Sequence, residues 1–279
     1  MYKILKNEKI SPNSYLLEVM APEVIERAMP GQFVIVMGKE DSERIPLTIY
    51  DYDKKTGVLS LIYQVIGAST EELSTLTDEI FAVTGPLGKP NEICANPEAF
   101  KGKRIVYVAG GVGIAPVYPQ VKYLREKGFE IDIIYGAREE SLLLIREKAE
   151  KVARKVMYVT DDGSFGEKGF VTTVLEKEAK NYDICVAIGP LIMMKNVADV
   201  TKKAKMKTIV SMNPLMVDGS GMCGACRCEI EGKPKFACID GPEFDGHKVN
   251  FDLAMKRMNI YKEEEKEKWD QMKKSLGKN

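Results

Sequence analysis

Between Met216 and Asp240 the chain reads MVDGSGMCGACRCEIEGKPKFACID, which places four of the six cysteines in a glycine-rich stretch with too little apolar content to fold around its own side chains. Something other than a hydrophobic core must hold such a segment. Asp218 is separated from Cys223 by four residues, Cys223 from Cys226 by two, and Cys226 from Cys238 by eleven. Gly219, Gly221 and Gly224 lie among them, and residues without a Cβ accept positive φ and let a backbone wrap closely round a compact object.

The spacing matches C-x4-C-x2-C followed by a distant fourth cysteine, the plant-type [2Fe–2S] loop, with an aspartate where the first thiolate would stand. The expected ligands are Asp218, Cys223, Cys226 and Cys238. Cys228 lies two residues past Cys226 in what reads as a strand start, CRCEI, and is expected to serve as a core thiol or to sit behind the ligands. Structural zinc and unrelated buried thiols remain as alternatives. Zinc favours four Cys/His ligands, often in paired C-x2-C units, and this chain has one such pair and a single histidine, His247.

At 279 residues, with 44% hydrophobic and 29% charged content, the chain is long enough for two domains and a small additional module. Lys+Arg and Asp+Glu balance at 41 each, so no overall field argues for nucleic acid or a membrane surface as partner. The N-terminus, MYKILKNEKI, has no apolar signal core, and the longest uncharged run, starting at Ile105, is broken by glycines and prolines. Cysteines without a secretion signal point to a reducing cytoplasm, with Cys94 and Cys185 as core residues. The stretch Lys262 to Lys274 reads as a terminal helix with a solvated charged face.

The first hundred residues show short β-rich segments at Tyr15–Val19, Gln32–Met37, Leu47–Tyr52, Val58–Val65 and Ile80–Thr84, broken by turn residues, which predicts a small antiparallel barrel. One helix is expected from near Ser69. In Arg44-Ile45-Pro46-Leu47-Thr48 a guanidinium, a proline and a hydroxyl alternate on one strand face. A guanidinium can pair with a pyrophosphate and a hydroxyl can hydrogen-bond a flavin ring nitrogen. The turn Gly67-Ala68-Ser69-Thr70 offers backbone N–H groups to a phosphate, although Ser69 is equally a simple N-cap.

From Arg104 to Pro119, RIVYVAGGVGIAPVYP runs from an apolar strand through a glycine turn into a helix, the order a nucleotide phosphate turn requires. Strands then alternate with helices: Glu130–Tyr135, Val156–Thr160 and Asp183–Ile188, with helices through LLLIREKAEKVAR, from Thr172, and through LIMMKNVADVTKK. That alternation predicts a parallel sheet with its ligand site at the strand C-terminal ends. Met193 and Met194 are expected to pack in the core.

Three blocks therefore follow one another: RxPxT with GxST, then GGVGIAP with DDGSxG and GP, then the cysteine loop. Over about residues 1 to 250 the combination resembles the ferredoxin–NADP reductase superfamily, in particular the electron-transfer subunits of dihydroorotate dehydrogenase and their relatives. The resemblance implies a β plus α/β architecture: an antiparallel FAD-binding β-barrel (1–100), a parallel-sheet NAD(P)-binding α/β domain (101–210), a small [2Fe–2S] module (211–250) and a C-terminal helical tail (251–279). It implies FAD phosphates on Arg44, Gly67, Ser69 and Thr70, and an isoalloxazine flanked by Pro46, Leu47, Thr48, Tyr63, Gln64 and Val65. The nicotinamide nucleotide would lie on Gly111, Val112, Gly113, Ile114, Pro116, Asp161, Asp162, Gly163 and Ser164, with Gly189 and Pro190. NAD(H) is implied, while Arg138 would equally take a 2′-phosphate and keeps NADP(H) open.

In the dihydroorotate-linked branch the first cluster ligand is cysteine, so Asp218 favours the bifurcating branch, NADH-dependent ferredoxin:NADP oxidoreductase. The expected role is an electron-transfer subunit joining NAD(H), FAD and a [2Fe–2S] cluster to a larger flavin/iron–sulfur subunit, with ferredoxin served indirectly. The superfamily often has Cys-Gly-Pro where this chain has Ile188-Gly189-Pro190. No general acid or base is expected, since the cofactors carry the chemistry. Two competitors stand: a dihydroorotate dehydrogenase electron-transfer subunit, and a zinc-stabilised binding module without enzymatic activity.

Overall fold

Strands β1 (Tyr2–Ser11), β2 (Ser14–Met20), β3 (Phe33–Met37), β4 (Arg44–Asp53), β5 (Val58–Gln64), β6 (Glu79–Ile80) and β7 (Ala82–Leu87) form one antiparallel sheet in the order β6-β1-β2-β5-β4-β3-β7. Phe81 alone separates β6 from β7, so the chain passes directly from one edge of the sheet to the other and the sheet curls into a barrel. Alternate residues fill it: Leu17, Val19, Val34, Val36, Leu59 and Leu61 are fully buried. The structure, a computed structural model, describes residues 1–275.

Three short helices serve the barrel: α1 (Pro22–Ile25), α2 (Ala68–Ser74) and, on the connection out of it, α3 (Glu92–Ala95). The sequence does not signal β1, because only Ile4 on that strand is buried, while Leu5 and Ile10 are exposed among charged and polar residues. It pairs with β2 through backbone hydrogen bonds that its side chains do not advertise.

The second sheet holds β8 (Ile105–Gly110), β9 (Ile131–Ala137), β10 (Lys155–Thr160), β11 (Glu167–Lys168), β12 (Ile184–Ile188) and β13 (Lys207–Ser211), all parallel. Helices α4 (Ile114–Glu126), α5 (Arg146–Val152), α6 (Val171–Glu178) and α7 (Leu191–Lys203) connect them. The continuous burial of β8 and β12 is what a parallel sheet covered on both faces demands. The helix expected through LLLIREKAEKVAR begins only at Arg146, because Leu143 and Leu144 are drawn into the core as a loop and Ile145 takes a left-handed φ of 47°.

After β13 the chain forms a hairpin of β14 (Arg227–Ile230) and β15 (Lys233–Phe236), a turn of helix α8 (Ala237–Asp240), and β16 (Glu243–Asp245). Strand β16 runs back antiparallel onto β13 and becomes the last strand of the parallel sheet, which reads β11-β10-β9-β8-β12-β13-β16. Two helices end the described chain, α9 (Phe251–Met258) against α7 and β14, and α10 (Lys262–Ser275) against α2 of the barrel. No helix among the described residues is long and apolar enough to cross a membrane.

Candidate functional site

In the second sheet the chain leaves β8 toward β9 and β10, then returns to place β12 on the other side of β8. The C-terminal ends of β8 and β12 are therefore the topological switch point, where open α/β sheets take their ligands. Gly110–Gly113 leave β8 and Gly189–Pro190 leave β12 at this cleft. The two turns touch: a Cβ on Gly189 would lie 3.1 Å from the Gly110 Cα.

The glycines of the β8 turn divide their work. Gly111 has φ of 55° and open space where a side chain would project, as expected of a residue facing a ligand. Gly113 is buried, and a Cβ there would meet the Ile188 carbonyl oxygen at 2.1 Å. Gly111→Ala should therefore cost only about 1 kcal/mol of backbone strain, measurable as a small fall in the urea midpoint with the fold intact. Val112 and Pro116 are half-buried at the turn, whereas Ile114 is a core residue that fixes the start of α4.

Arg138 and Asp161–Ser164 stand exposed at the ends of β9 and β10, on one side of the cleft. They are built as one unit. The Asp162 amide donates to the Arg138 carbonyl at 3.2 Å, the Ser164 amide and hydroxyl donate to the Asp162 carboxylate at 2.9 and 2.7 Å, and the Glu140 amide donates to Ser164 Oγ at 2.8 Å. The bonds from Ser164 hold the Asp162 carboxyl below its ordinary range. Met194 is buried as expected, and Met193, half-buried, packs against the same core cluster while its thioether lies where a Cβ of Gly110 or Gly189 would fall. Nothing in the helical periodicity distinguishes these two neighbours.

On the barrel, Arg44 is exposed at the start of β4 and enters no ion pair among the described residues. Pro46 and Thr48 follow on the same strand half-buried, and Leu47 turns into the barrel. Gln64 and Val65 are half-buried at the end of β5. Tyr63 requires a correction: its ring lies inside the barrel stacked on Tyr15 and its hydroxyl donates to Asn7 at 2.9 Å, so its side chain cannot flank a flavin.

The turn before α2 is shaped by Thr70, whose hydroxyl accepts from the Ile66 and Gly67 amides and donates to the Gly67 carbonyl. Gly67 has open space around it, and the first-turn amides of α2 have no intrahelical partner. Ser69 Oγ donates to Glu43, and Glu43 also receives Lys268 from α10 at 2.5 Å. Lys268, then Ser69, hold the Glu43 carboxyl low.

In the cysteine loop the four expected ligands gather as two pairs. Cys226 and Cys238 are buried with their sulfurs 3.1 Å apart, and burial, reinforced by the Cys226 contact, pushes the Cys238 thiol up to about 12. Asp218 and the exposed Cys223 lie together at the mouth. The Asp218 carboxyl accepts from the Ser220 amide at 2.7 Å, and that bond, with smaller help from Cys223, holds it below the ordinary range. Among the described residues no three such donors converge as on one metal ion. Gly219, Gly221 and Gly224 have φ of 75°, 84° and 68°; Gly219 abuts Leu87 of the barrel and Gly221 abuts Ile239. Cys228 is buried beside the loop, its thiol reaching the Cys226 carbonyl.

Three cysteines and a carboxylate in a glycine-wrapped loop fit a [2Fe–2S] centre, which takes four protein ligands. Joined to a switch-point nucleotide cleft and a curled antiparallel barrel, this defines an oxidoreductase subunit of the ferredoxin reductase type. The comparisons agree. Residues 107–199 match the oxidoreductase NAD-binding domain, and residues 213–250 match the iron–sulfur cluster binding domain of dihydroorotate dehydrogenase B. A Thermotoga maritima protein named as a homologue of the dihydroorotate dehydrogenase B (NAD(+)) electron transfer subunit is 41% identical over 99% of this chain and 96% of its own. The chain belongs to this family of NAD-binding, iron–sulfur electron-transfer subunits.

A solved structure of NADH-dependent reduced ferredoxin-NADP oxidoreductase, studied for flavin-based electron bifurcation, superposes with a TM-score of 0.88 at 38% identity, covering 98% of both chains. The cytochrome b5 reductase domain of Ulva prolifera nitrate reductase shares the fold alone, with a TM-score of 0.61, 21% identity and 74% of this chain.

Sequence reading missed Asn91, Gln120 and Glu243. Asn91 follows the barrel, Gln120 lies on α4 and Glu243 on β16. Glu243 accepts from Asn91 Nδ2 at 2.6 Å and from Gln120 Nε2 at 2.8 Å, so one carboxylate joins the barrel exit, the parallel sheet and the cysteine module. Burial raises its carboxyl to about 7.

Proposed function

We infer that the chain is the electron-transfer subunit of a bifurcating NADH-dependent ferredoxin:NADP oxidoreductase, working in the cytoplasm beside a larger flavin/iron–sulfur subunit. Bound here, these groups would supply hydride chemistry at the nicotinamide, two-to-one-electron conversion at the flavin and one-electron carriage at the iron–sulfur cluster. The observation that carries the reading is the match over 98% of the chain to the bifurcating enzyme, against 74% for a simple reductase domain. Six free cysteines, five of them buried, support a reducing compartment.

The chain's own residues divide the binding. Asp218 with Cys223, and Cys226 with Cys238, would hold the cluster as two ligand pairs. Gly111–Pro116 would bring backbone amides to the nucleotide phosphates, with Arg138 and the Asp161–Ser164 loop as the side wall and Gly189–Pro190 as the floor. Arg44 and the 67–70 turn would take the FAD pyrophosphate, the hydroxyl of Ser69 exchanging Glu43 for a phosphate oxygen. Pro46, Leu47, Thr48, Gln64 and Val65 would shape the flavin site. The domain divisions at about residues 100, 210 and 250 follow from the same assignment.

A second reading, the electron-transfer subunit of a dihydroorotate dehydrogenase, is favoured by the name of the Thermotoga relative. The two differ in partner and in electron donor. Purified chain should show flavin and iron–sulfur absorbance that NADH bleaches, and Cys226→Ser should lose iron while keeping flavin. A colourless protein holding zinc after anaerobic preparation sinks the assignment, and bleaching of the purified complex by dihydroorotate would favour the second reading.

A further inference from the structure

Helix α9 lies behind the cysteine loop, beyond residue 250 where the matched iron–sulfur domain ends. Its position is tightly set. Asn250 caps it by accepting from the Leu253 amide at 3.0 Å and donates to Glu229 Oε1 on β14 at 2.7 Å. Phe251 is buried in the same core cluster as Cys226, Cys228 and Cys238, with Ala254 and Met255 packed against it. Asp252 pairs with Lys195 of α7 at 2.7 Å. These restraints deliver one cation to the loop: Arg257 Nη2 donates to the Ala225 carbonyl at 3.3 Å, between Cys223 and Cys226. Its Nε is buried with no partner among the described residues.

The charges around Arg257 leave it uncompensated. On β15 and α8, Lys235 and Asp240 neutralise each other, and on β14 Glu229 is engaged by Asn250. No ion pair among the described residues involves Arg257.

We propose that Arg257, carried by α9 and fixed to the Ala225 carbonyl, is a positioning and potential-setting residue for the iron–sulfur centre. The assignment rests on the cluster reading above. A group held by four anionic side chains gains a further negative charge when reduced. A guanidinium held close by, with its Nε buried, favours that reduced state. The bond to Ala225 also pins the backbone between two ligands, so the cation and the loop move together.

The test is an EPR-monitored redox titration of the full chain in its holo form, with iron and flavin quantified, for wild type, Arg257→Gln and Arg257→Lys. Gln keeps hydrogen-bonding capacity without charge; Lys keeps charge without the planar fork. Arg257→Gln should make reduction of the cluster three- to tenfold less favourable, a shift of up to about 59 mV toward negative potential for one electron. Arg257→Lys should stay within threefold of wild type. Loss of iron by Gln with retention by Lys supports the proposal as well. It is overturned if iron-loaded Gln titrates like wild type, if Gln and Lys shift equally, or if both lose iron. A wild-type chain without iron would instead refute the cluster reading itself.

Discussion

Gly113→Ala is expected to destabilise the protein by about 3 kcal/mol and to weaken nucleotide binding at least tenfold. The added methyl carbon would lie 2.1 Å from the Ile188 carbonyl oxygen and 2.8 Å from its carbon, both backbone atoms of the neighbouring strand. No rotamer relieves that overlap, because a Cβ has none. The strands β8 and β12 would have to separate at the end where the nucleotide turns meet. Chemical denaturation should show a lower midpoint, and NADH titration a higher dissociation constant. A variant that folded and bound as wild type would show that the two turns are not packed as described. The contrast with Gly111→Ala matters, since one glycine serves conformation and the other close approach.

Glu243→Gln should stabilise the protein at pH 8 by about 2 kcal/mol and have little effect near pH 4.5. The carboxyl is raised from the ordinary glutamate range to about 7 by burial, against the lowering pull of Asn91 and Gln120, with Glu92 adding a further upward push. The sign follows from linkage. A folded-state value above the unfolded one means that the folded protein holds the proton more tightly. The group's stabilising contribution is complete below the unfolded value and is lost as pH rises through about 7. The figure is smaller than the whole shift would give, because the residue retains some contact with solvent.

Glutamine fits the site for a specific reason. Asn91 is locked, its side-chain oxygen already accepting from the Ile93 and Cys94 amides. Gln120 is free to turn, since its Oε1 has no partner among the described residues and would accept from the new amide. Thermal or urea unfolding across pH 4.5 to 8.5, compared between the two proteins, measures the difference directly. Equal pH dependence would show that Glu243 titrates normally.

Much of this architecture is legible in the residues, and the exceptions share a cause. The parallel sheet is visible because β8 and β12 are apolar throughout and each is followed by glycine, and α7 falls on LIMMKNVADVTKK from its first residue to its last. The cysteine loop declares itself by spacing. Strand β1 is hidden because, with one buried residue in ten, it shows no periodic apolar face. Strand β16 is hidden because three residues are too few to show a period.

The same limit governs the sites. Gly111 and Gly113 are equally glycine in the sequence, and only their surroundings assign them different duties. Tyr63 reads as a plausible flavin neighbour until strand alternation sends its ring inward toward Asn7. Arg257 and Glu243 belong to no motif, and their importance arises from what lies beside them.

The last strand of the parallel sheet has a consequence for biosynthesis. Strand β13 leaves the ribosome well before β16, so its outer backbone groups stand open until the cysteine segment has been made and folded back. An open apolar edge invites pairing with other chains. Folding of the cysteine segment and protection of the sheet are thus one event, and a chain stalled before residue 243 would present that edge to its neighbours.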